Sequence, residues 1–240
     1  MAGDSGLRLY VGEGRSSEYT AAHMLIVCDF DGTITTHDCL NLIVQDFAAE
    51  AWAEIEPRLR AGEIDLLQAI EEEFLHVRLT EEQVVRHVLK GTEVRAGFHE
   101  FVTWTEDVGH ELVIVSAGFR VLIDAVLATA GLSRLRVFSG DACFTPQGTT
   151  IQYPPSAQEC ASRCGMCKAD AVREVVAASV APSPLVHVGD GLSDLCVART
   201  ADIVFARAGL ARLLQREHIQ FYPFEDFFEV RRVLEALTPI

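Results

Sequence analysis

The sequence predicts an α/β fold: a Rossmann-like parallel sheet core with an inserted helical cap and a small β-hairpin. Three observations carry this. Short apolar runs ending in acidic or small polar residues alternate with segments of helical period, as in a parallel sheet sheathed by helices. One long interruption, Asp38 to Glu93, is helix-like throughout. A second, Cys143–Tyr153, places Gln147-Gly148 between β-prone flanks and reads as a hairpin.

Residues 1–23 are polar and Gly/Ser-rich, without a clear period, and read as an N-terminal extension. Met24–Asp29 is a continuous apolar run ending in acid, the pattern of a strand buried on both faces. Within the interruption, Leu40, Ile43, Val44 and Phe47 form one stripe and Leu67, Ile70 and Phe74 another. Thr80-Glu81-Glu82-Gln83 is a capping box opening a helix that holds Val84, Val85, Val88 and Leu89, with Gly91 suited to its stop. So long a helical insertion cannot fit within a sheet layer and should perch over the strand ends. The expected division is therefore 24–37 and 94–240 as core, with 38–93 as cap.

Leu112–Val115 repeats the buried-strand pattern and ends at Ser116, and Arg136–Ser139 is a shorter candidate. Leu185–Val188 follows a Pro-Ser-Pro breaker and ends at Gly189-Asp190, and Ile203–Phe205 reads as an edge strand. Helical faces between them hold Val121, Ala125 and Ala128; then Val172, Val175, Val176 and Ser179; then Leu195 and Ala198. Phe221–Phe228 reads as a terminal aromatic contact with the core.

The chain has 240 residues, 20 Lys plus Arg and 35 Asp plus Glu, a formal charge of −15. That balance argues against nucleic-acid or anionic-membrane partners, which select for Lys and Arg. No stretch approaches the roughly 18 apolar residues of a membrane span. The first 22 residues contain no apolar block like that of a signal peptide. Seven cysteines, an odd number, read as reduced thiols in a cytoplasmic compartment.

The chemistry concentrates in Leu25-Ile26-Val27-Cys28-Asp29-Phe30-Asp31-Gly32-Thr33. Two carboxylates, two residues apart, stand at the carboxyl end of a buried strand, the edge where open α/β sheets bind ligands. Gly32 lets the chain turn and brings its amide close to an anion. Alone, Asp-Gly-Thr could be a plain turn. Gly189-Asp190-Gly191-Leu192-Ser193-Asp194, however, brings two more carboxylates to the same edge. Four converging carboxylates repel one another by several kcal/mol per close pair at an effective dielectric of ~20. Such a cluster calls for a divalent cation, and hard oxygen ligands select Mg²⁺.

Ser116 precedes Ala117-Gly118, so its hydroxyl and the following amides suit a phosphate at a helix N-terminus, although a plain N-cap explains it too. Lys168 opens a helix, where the dipole disfavours a cation. It answers either a nearby negative charge or simply solvent.

In this order, Asp29-Phe30-Asp31-Gly32-Thr33, Ser116, Lys168 and Gly189-Asp190 with Asp194 resemble the four motifs of haloacid dehalogenase superfamily phosphatases. The resemblance runs from about Met24 onward, and the helical insertion resembles the cap of the phosphoserine-phosphatase-like branch. More narrowly, Cys160-x-x-x-Cys164-Gly165-x-Cys167-Lys168, Phe205-Ala206-Arg207 and Pro223-Phe224-Glu225-Asp226-Phe227 are similar to 2-hydroxy-3-keto-5-methylthiopentenyl-1-phosphate phosphatases of methionine salvage.

The resemblance implies Asp29 as nucleophile and Asp31 as general acid and base. It implies Mg²⁺ on Asp29, the Asp31 backbone carbonyl and Asp190, with Asp194 behind them. Ser116, Lys168 and the amides of Gly32 and Ala117 would hold the phosphoryl group. The substrate would be a small phosphorylated metabolite, in methionine salvage or else phosphoserine, phosphoethanolamine or a related ester. A phosphotransferase or phosphomutase, or a non-catalytic metal-binding protein, is the alternative of another class.

Cys160, Cys164 and Cys167 could be packed thiols, a redox pair that displaces Lys168 when oxidised, or zinc ligands with Cys143 as a fourth. His187, within an apolar strand, reads as a core histidine. Trp52, Arg58 and Arg60 read as a solvated helical face.

Overall fold

Leu25–Cys28, completely apolar and buried, forms β1 at the middle of a seven-stranded sheet. The structure is a computed structural model that describes residues 23–155, 160, 163–178 and 184–237. The extension expected over 1–22 and Ser179 lie outside the described residues.

After β1 the chain makes a tight turn, Phe30–Ile34, and then four helices: α1 (Cys39–Phe47), α2 (Ala49–Arg60), α3 (Leu66–Phe74) and α4 (Glu81–Gly91). The core follows as α5 (Phe98–Val108), β2 (Glu111–Phe119), α6 (Arg120–Thr129), β3 (Arg136–Thr145), β4 (Gly148–Gln152), α7 (Lys168–Ala178) and β5 (Leu185–Gly189). A short turn Leu192–Asp194 leads into α8 (Leu195–Ala198), β6 (Ile203–Ala206), α9 (Ala208–Arg216), β7 (Tyr222–Pro223) and α10 (Phe227–Leu237). The order across the sheet is β4-β3-β2-β1-β5-β6-β7. All neighbours are parallel except β3 and β4, which run antiparallel.

Two strands differ from expectation. Ile203–Ala206 is not an edge, because Phe205 and Ala206 pair with Tyr222 and Pro223. A two-residue strand containing proline has too little pattern to be read in sequence. Arg136–Ser139 is only the start of a ten-residue β3, and the hairpin Cys143–Tyr153 is the far end of β3 turning into β4. The hairpin is therefore the sheet's own edge. The inward face of α6 also differs: Leu122, Ile123, Val126 and Leu127 are buried, rather than Val121, Ala125 and Ala128. Both stripes have helical period, and the one with the larger apolar area takes the core.

The helical insertion starts and ends at one place. Thr36 N donates to Glu93 O at 2.9 Å and Arg95 N to Ile34 O at 2.7 Å, closing the entering and leaving segments against each other. The capping box at Thr80 forms as expected, and Asp65 with Gln68 forms a second one on α3. Phe74 carries the packing between α3 and the sheet. Its ring meets Phe119 edge-on at 4.9 Å and Phe144 at 6.2 Å. Thr149 of β4, buried, donates to Val77 O at 2.9 Å. The stripe on α1 is half right: Ile43 and Val44 are buried, whereas Phe47 is exposed. No helix among the described residues is long and apolar enough to cross a membrane.

Candidate active site

Strand register assembles the site. Cys28 pairs with Ile114 on one side and Val188 on the other, so the next residues of β1, β2 and β5 emerge together at the carboxyl edge. Asp29 emerges from β1, and its amide donates to Val188 O at 2.9 Å. Ser116 lies two residues beyond Ile114, and Asp190 two beyond Val188.

Oxygens of Asp29, Asp190 and Asp194 lie within 4.8 Å of one another. Lys168, fully buried, donates from Nζ to Asp29 Oδ1 and, at 2.6 Å, to Asp194 Oδ1. Burial pulls the ammonium down, but the carboxylates of Asp194 and Asp29 prevail and hold it above its ordinary range. Lys168 at the start of α7 thus answers negative charge, as its unfavourable position against the helix dipole suggested.

Asp194 is saturated by protein donors. Oδ1 accepts from Lys168 and from His187 Nε2 at 3.1 Å, while Oδ2 accepts from the amides of Asp190 at 3.0 Å and Gly191 at 2.9 Å. Burial pushes its carboxyl up, yet Lys168 and His187 overcome that and hold it well below the usual range. Asp194 is therefore the fixed anion that positions Lys168 and the Asp190 loop. Gly189 is required beside it, because a Cβ there would overlap the Asp194 carboxylate.

Asp29 and Asp190 are differently placed. Burial, then the neighbouring Asp194 charge, pushes Asp29 well up against the pull of Lys168. Burial and Asp194 likewise raise Asp190 to about 6. Thr33 Oγ1 donates to Asp190 Oδ1 at 3.1 Å. Among the described residues, Oδ2 of Asp29 and Oδ2 of Asp190 accept no protein hydrogen bond. Two uncommitted hard oxygens in a repelling carboxylate group are a donor set that fits Mg²⁺.

Asp31 leaves that group, which corrects the expectation of four converging carboxylates. Its Oδ1 accepts from the Cys39 amide at 3.0 Å and its Oδ2 from Ser116 Oγ at 3.2 Å. Burial still raises it, although these donors oppose the shift. Gly118 packs so close that a Cβ would overlap Asp31 Oδ2. Asp31 and Asp29 thus occupy separate environments on one short loop.

One expectation at the phosphate site needs correction. Ser116 does not start a helix: β2 runs on to Phe119 with a register shift after Val115, and α6 begins at Arg120. Its hydroxyl is held by Asp31 and the Gly118 amide, the latter at 2.9 Å. The Gly32 amide is also engaged, donating to Thr35 Oγ1 at 3.1 Å. Gly32 is nevertheless required, since at φ +75° a Cβ would lie 2.5 Å from Asp190 Oδ2. Ala117 lies beside the site, and its carbonyl accepts from Tyr153 Oη at 2.5 Å.

Sequence reading missed Arg95, His187 and Tyr153 as site residues. Buried Arg95 donates from Nε to Thr33 O at 2.6 Å and from Nη2 to Gly32 O at 2.7 Å and Thr35 O at 3.0 Å, with Nη1 on Glu225 O at 3.3 Å. Arg207 adds a donor to Gly32 O at 3.1 Å. An isolated arginine just after a helical insertion gives no pattern to find. His187 is a core histidine as read, but its ring also supports Asp194. The alternation of β5 could have revealed that side-chain direction.

Cys160, Cys164 and Cys167 precede Lys168 directly. The expected fourth thiol, Cys143, is exposed on β3, whereas Cys196 shares Ser193 O with Cys164, at 3.8 and 4.0 Å. Among the described residues these thiols do not form a group with metal-ligand spacing. Arg58 and Arg60 pair with Glu72 and Glu56 at the surface.

Comparison with known proteins agrees with this architecture. Residues 24–225 match the model of the family described as "Putative Phosphatase". The bifunctional enzyme MtnB/MtnX of Bacillus licheniformis is 32% identical over 218 residues, covering 90% of this chain and 50% of that protein. The chain thus spans about half the length of that relative. The 2-hydroxy-3-keto-5-methylthiopentenyl-1-phosphate phosphatase of Bacillus cereus is 27% identical over 217 residues, 90% of this chain and 97% of its own length. A phosphoserine phosphatase solved as a phospho-aspartyl intermediate analogue superposes with a TM-score of 0.69 at 17% identity, covering 88% of this chain and 98% of that one. A HAD family hydrolase from Salmonella enterica gives 0.70 at 18% identity, covering 91% of this chain and 72% of that one. The structural likeness shows a shared haloacid dehalogenase-like fold.

Proposed function

The chain belongs to this phosphatase family, and from that premise we propose that it hydrolyses a small phosphate ester through a phosphoryl intermediate on Asp29. The observation that carries the reading is the separation of the two acids. Asp29 sits against Lys168 and beside the free oxygen of Asp190, whereas Asp31 is held apart by Ser116 and Cys39. Two carboxyl groups in different environments on one loop suit two different roles.

Asp29 attacks phosphorus in line, with its carboxylate already fixed by Lys168. Asp31, which burial keeps towards its protonated form, gives its proton to the leaving oxygen and then takes one from the water that attacks the intermediate. Lys168 offsets charge on the phosphoryl oxygens, and Asp194 and His187 keep it oriented. Ser116 serves mainly by orienting Asp31. Mg²⁺ on Asp29, Asp190 and the Asp31 carbonyl would supply electrostatic stabilisation of the transferring group and lower the carboxylate repulsion. Helices α1–α4, residues 38–93, act as the cap that shields the intermediate from bulk water.

The relatives' names support a keto-enol sugar-derived phosphate of methionine salvage as substrate. Phosphate release from p-nitrophenyl phosphate with Mg²⁺ tests the reaction, and it should vanish in Asp29→Asn and in EDTA. A panel of the keto-enol phosphate, phosphoserine and phosphoethanolamine then tests the substrate, with the first expected to give the highest kcat/KM. Silence of reduced, metal-loaded protein towards the whole panel would refute hydrolysis.

A further inference from the structure

Tyr153 directly follows β4, at the edge of the sheet, and its hydroxyl reaches the site through backbone alone. We propose that Tyr153 is a positioning residue for Asp31, acting through the Ala117–Gly118 peptide and Ser116. The inference rests on the proposed role of Asp31 as acid and base.

Three hydrogen bonds run in series from Tyr153 to Asp31. Tyr153 Oη donates to Ala117 O at 2.5 Å, Gly118 N donates to Ser116 Oγ at 2.9 Å, and Ser116 Oγ donates to Asp31 Oδ2 at 3.2 Å. The first two engage opposite ends of one peptide unit, since the Ala117 carbonyl and the Gly118 amide share a plane. Chemistry fixes their direction: a carbonyl only accepts and an amide N–H only donates. Ser116 Oγ, having accepted from the amide, turns its own proton towards Asp31. Each bond therefore polarises the next in the same sense, and the chain ends on the carboxyl group that gives and takes the proton.

Contacts on either side leave this chain little freedom. A Cβ on Gly118 would overlap Asp31 Oδ2 and lie 3.1 Å from Ser116 Oγ, so a tilt of the peptide plane is felt directly by Asp31. The Tyr153 ring is seated where two glycines make room. A Cβ on Gly140 would overlap the ring, and one on Gly165 would lie 3.1 Å from its Cζ. Phe119 flanks the ring at a centroid distance of 6.4 Å. Burial, then the nearby charges of Asp31 and Glu71, push the Tyr153 hydroxyl above its ordinary range, so it stays a donor. Removing that donor releases one end of the peptide. The Gly118 amide then swings off Ser116, and the Ser116 proton is no longer aimed at Asp31.

The test compares two aryl esters, hydrolysed by the full chain with Mg²⁺. p-Nitrophenolate leaves without a proton, whereas the phenolate of phenyl phosphate, as basic as a tyrosinate, leaves better with one. Tyr153→Phe keeps the ring in its seat and removes only the hydroxyl. It should lower kcat/KM for phenyl phosphate by about tenfold more than for p-nitrophenyl phosphate. In Ser116→Ala the chain is already cut, so adding Tyr153→Phe should change that ratio by less than about twofold.

An equal fall on both esters, or none, would make Tyr153 a packing residue and overturn the proposal. A further loss of the same size in the Ser116→Ala background would do so too, because Tyr153 would then act by another path. Failure of the phosphatase reading has a different signature, a native chain inactive towards both esters. Melting temperatures of the native chain, the two single variants and the double variant then decide. Losses that simply add would overturn the connection, and a double variant less destabilised than the sum would support it.

Discussion

Every side-chain nitrogen of Arg95 donates to a backbone carbonyl, and three of the four acceptors belong to the loop that carries Asp31. A lysine can replace only part of that fork. Arg95→Lys should therefore lower kcat by about tenfold or more with little change in KM, and Arg95→Ala should also cost about 2–4 kcal/mol of stability as buried carbonyls lose charged donors. Steady-state kinetics and urea unfolding check both, and a rise in KM at constant kcat would contradict the positioning role. Gly118→Ala tests the neighbouring contact, since its Cβ would displace Asp31. It should lower kcat strongly while shifting Tm only slightly. The residues legible in the sequence, Asp29, Asp31, Lys168, Asp190 and Asp194, announce themselves by charge at strand ends or against a helix dipole. Arg95 and Tyr153 act through backbone carbonyls and carry no such signature.

At the scale of elements, α2 and α3 enclose an acid that the site does not use. Glu73 is buried on α3, and burial together with nearby Glu56 raises it to about 7. Its folded value exceeds its unfolded value of about 4.3, so the native state holds the proton more tightly. Stability is then full below about pH 4 and falls as pH rises through 7. Glu73→Gln should flatten that slope and stabilise the protein by about 1–3 kcal/mol at pH 8. Urea unfolding at pH 5 and pH 8 measures it, and an equal effect at both pH values would contradict the ionisation argument. The same helices show why elements were legible and faces less so. The Thr80 capping box fixed the start of α4, but period alone could not choose between two stripes on α6. Hairpin residues 143–153 were legible as a turn, and only the pairing of β3 with β2 made them part of the sheet.

Across the whole molecule, a chain of charge −15 gathers three carboxylates at one sheet edge with a single buried lysine between two of them. A divalent cation that binds only the folded site stabilises it by mass action, about 1.4 kcal/mol at tenfold its Kd. For a domain of this size that is a Tm rise of about 3–5 °C. Mg²⁺ should give this rise to the native chain and not to Asp190→Asn, read by thermal melts with and without EDTA. An equal rise in both would place the cation elsewhere.

The central claim is that Asp29 becomes phosphorylated and Asp31 drives release. Asp31→Asn, mixed with p-nitrophenyl phosphate and Mg²⁺ and quenched in acid, tests it most directly, because nitrophenolate leaves without a proton while the intermediate then lacks its base. Peptide mass spectrometry should find one added phosphoryl group on the peptide carrying Asp29. Nitrophenol release with no phosphoryl group on that peptide, or with one on Ser116 instead, would contradict the mechanism.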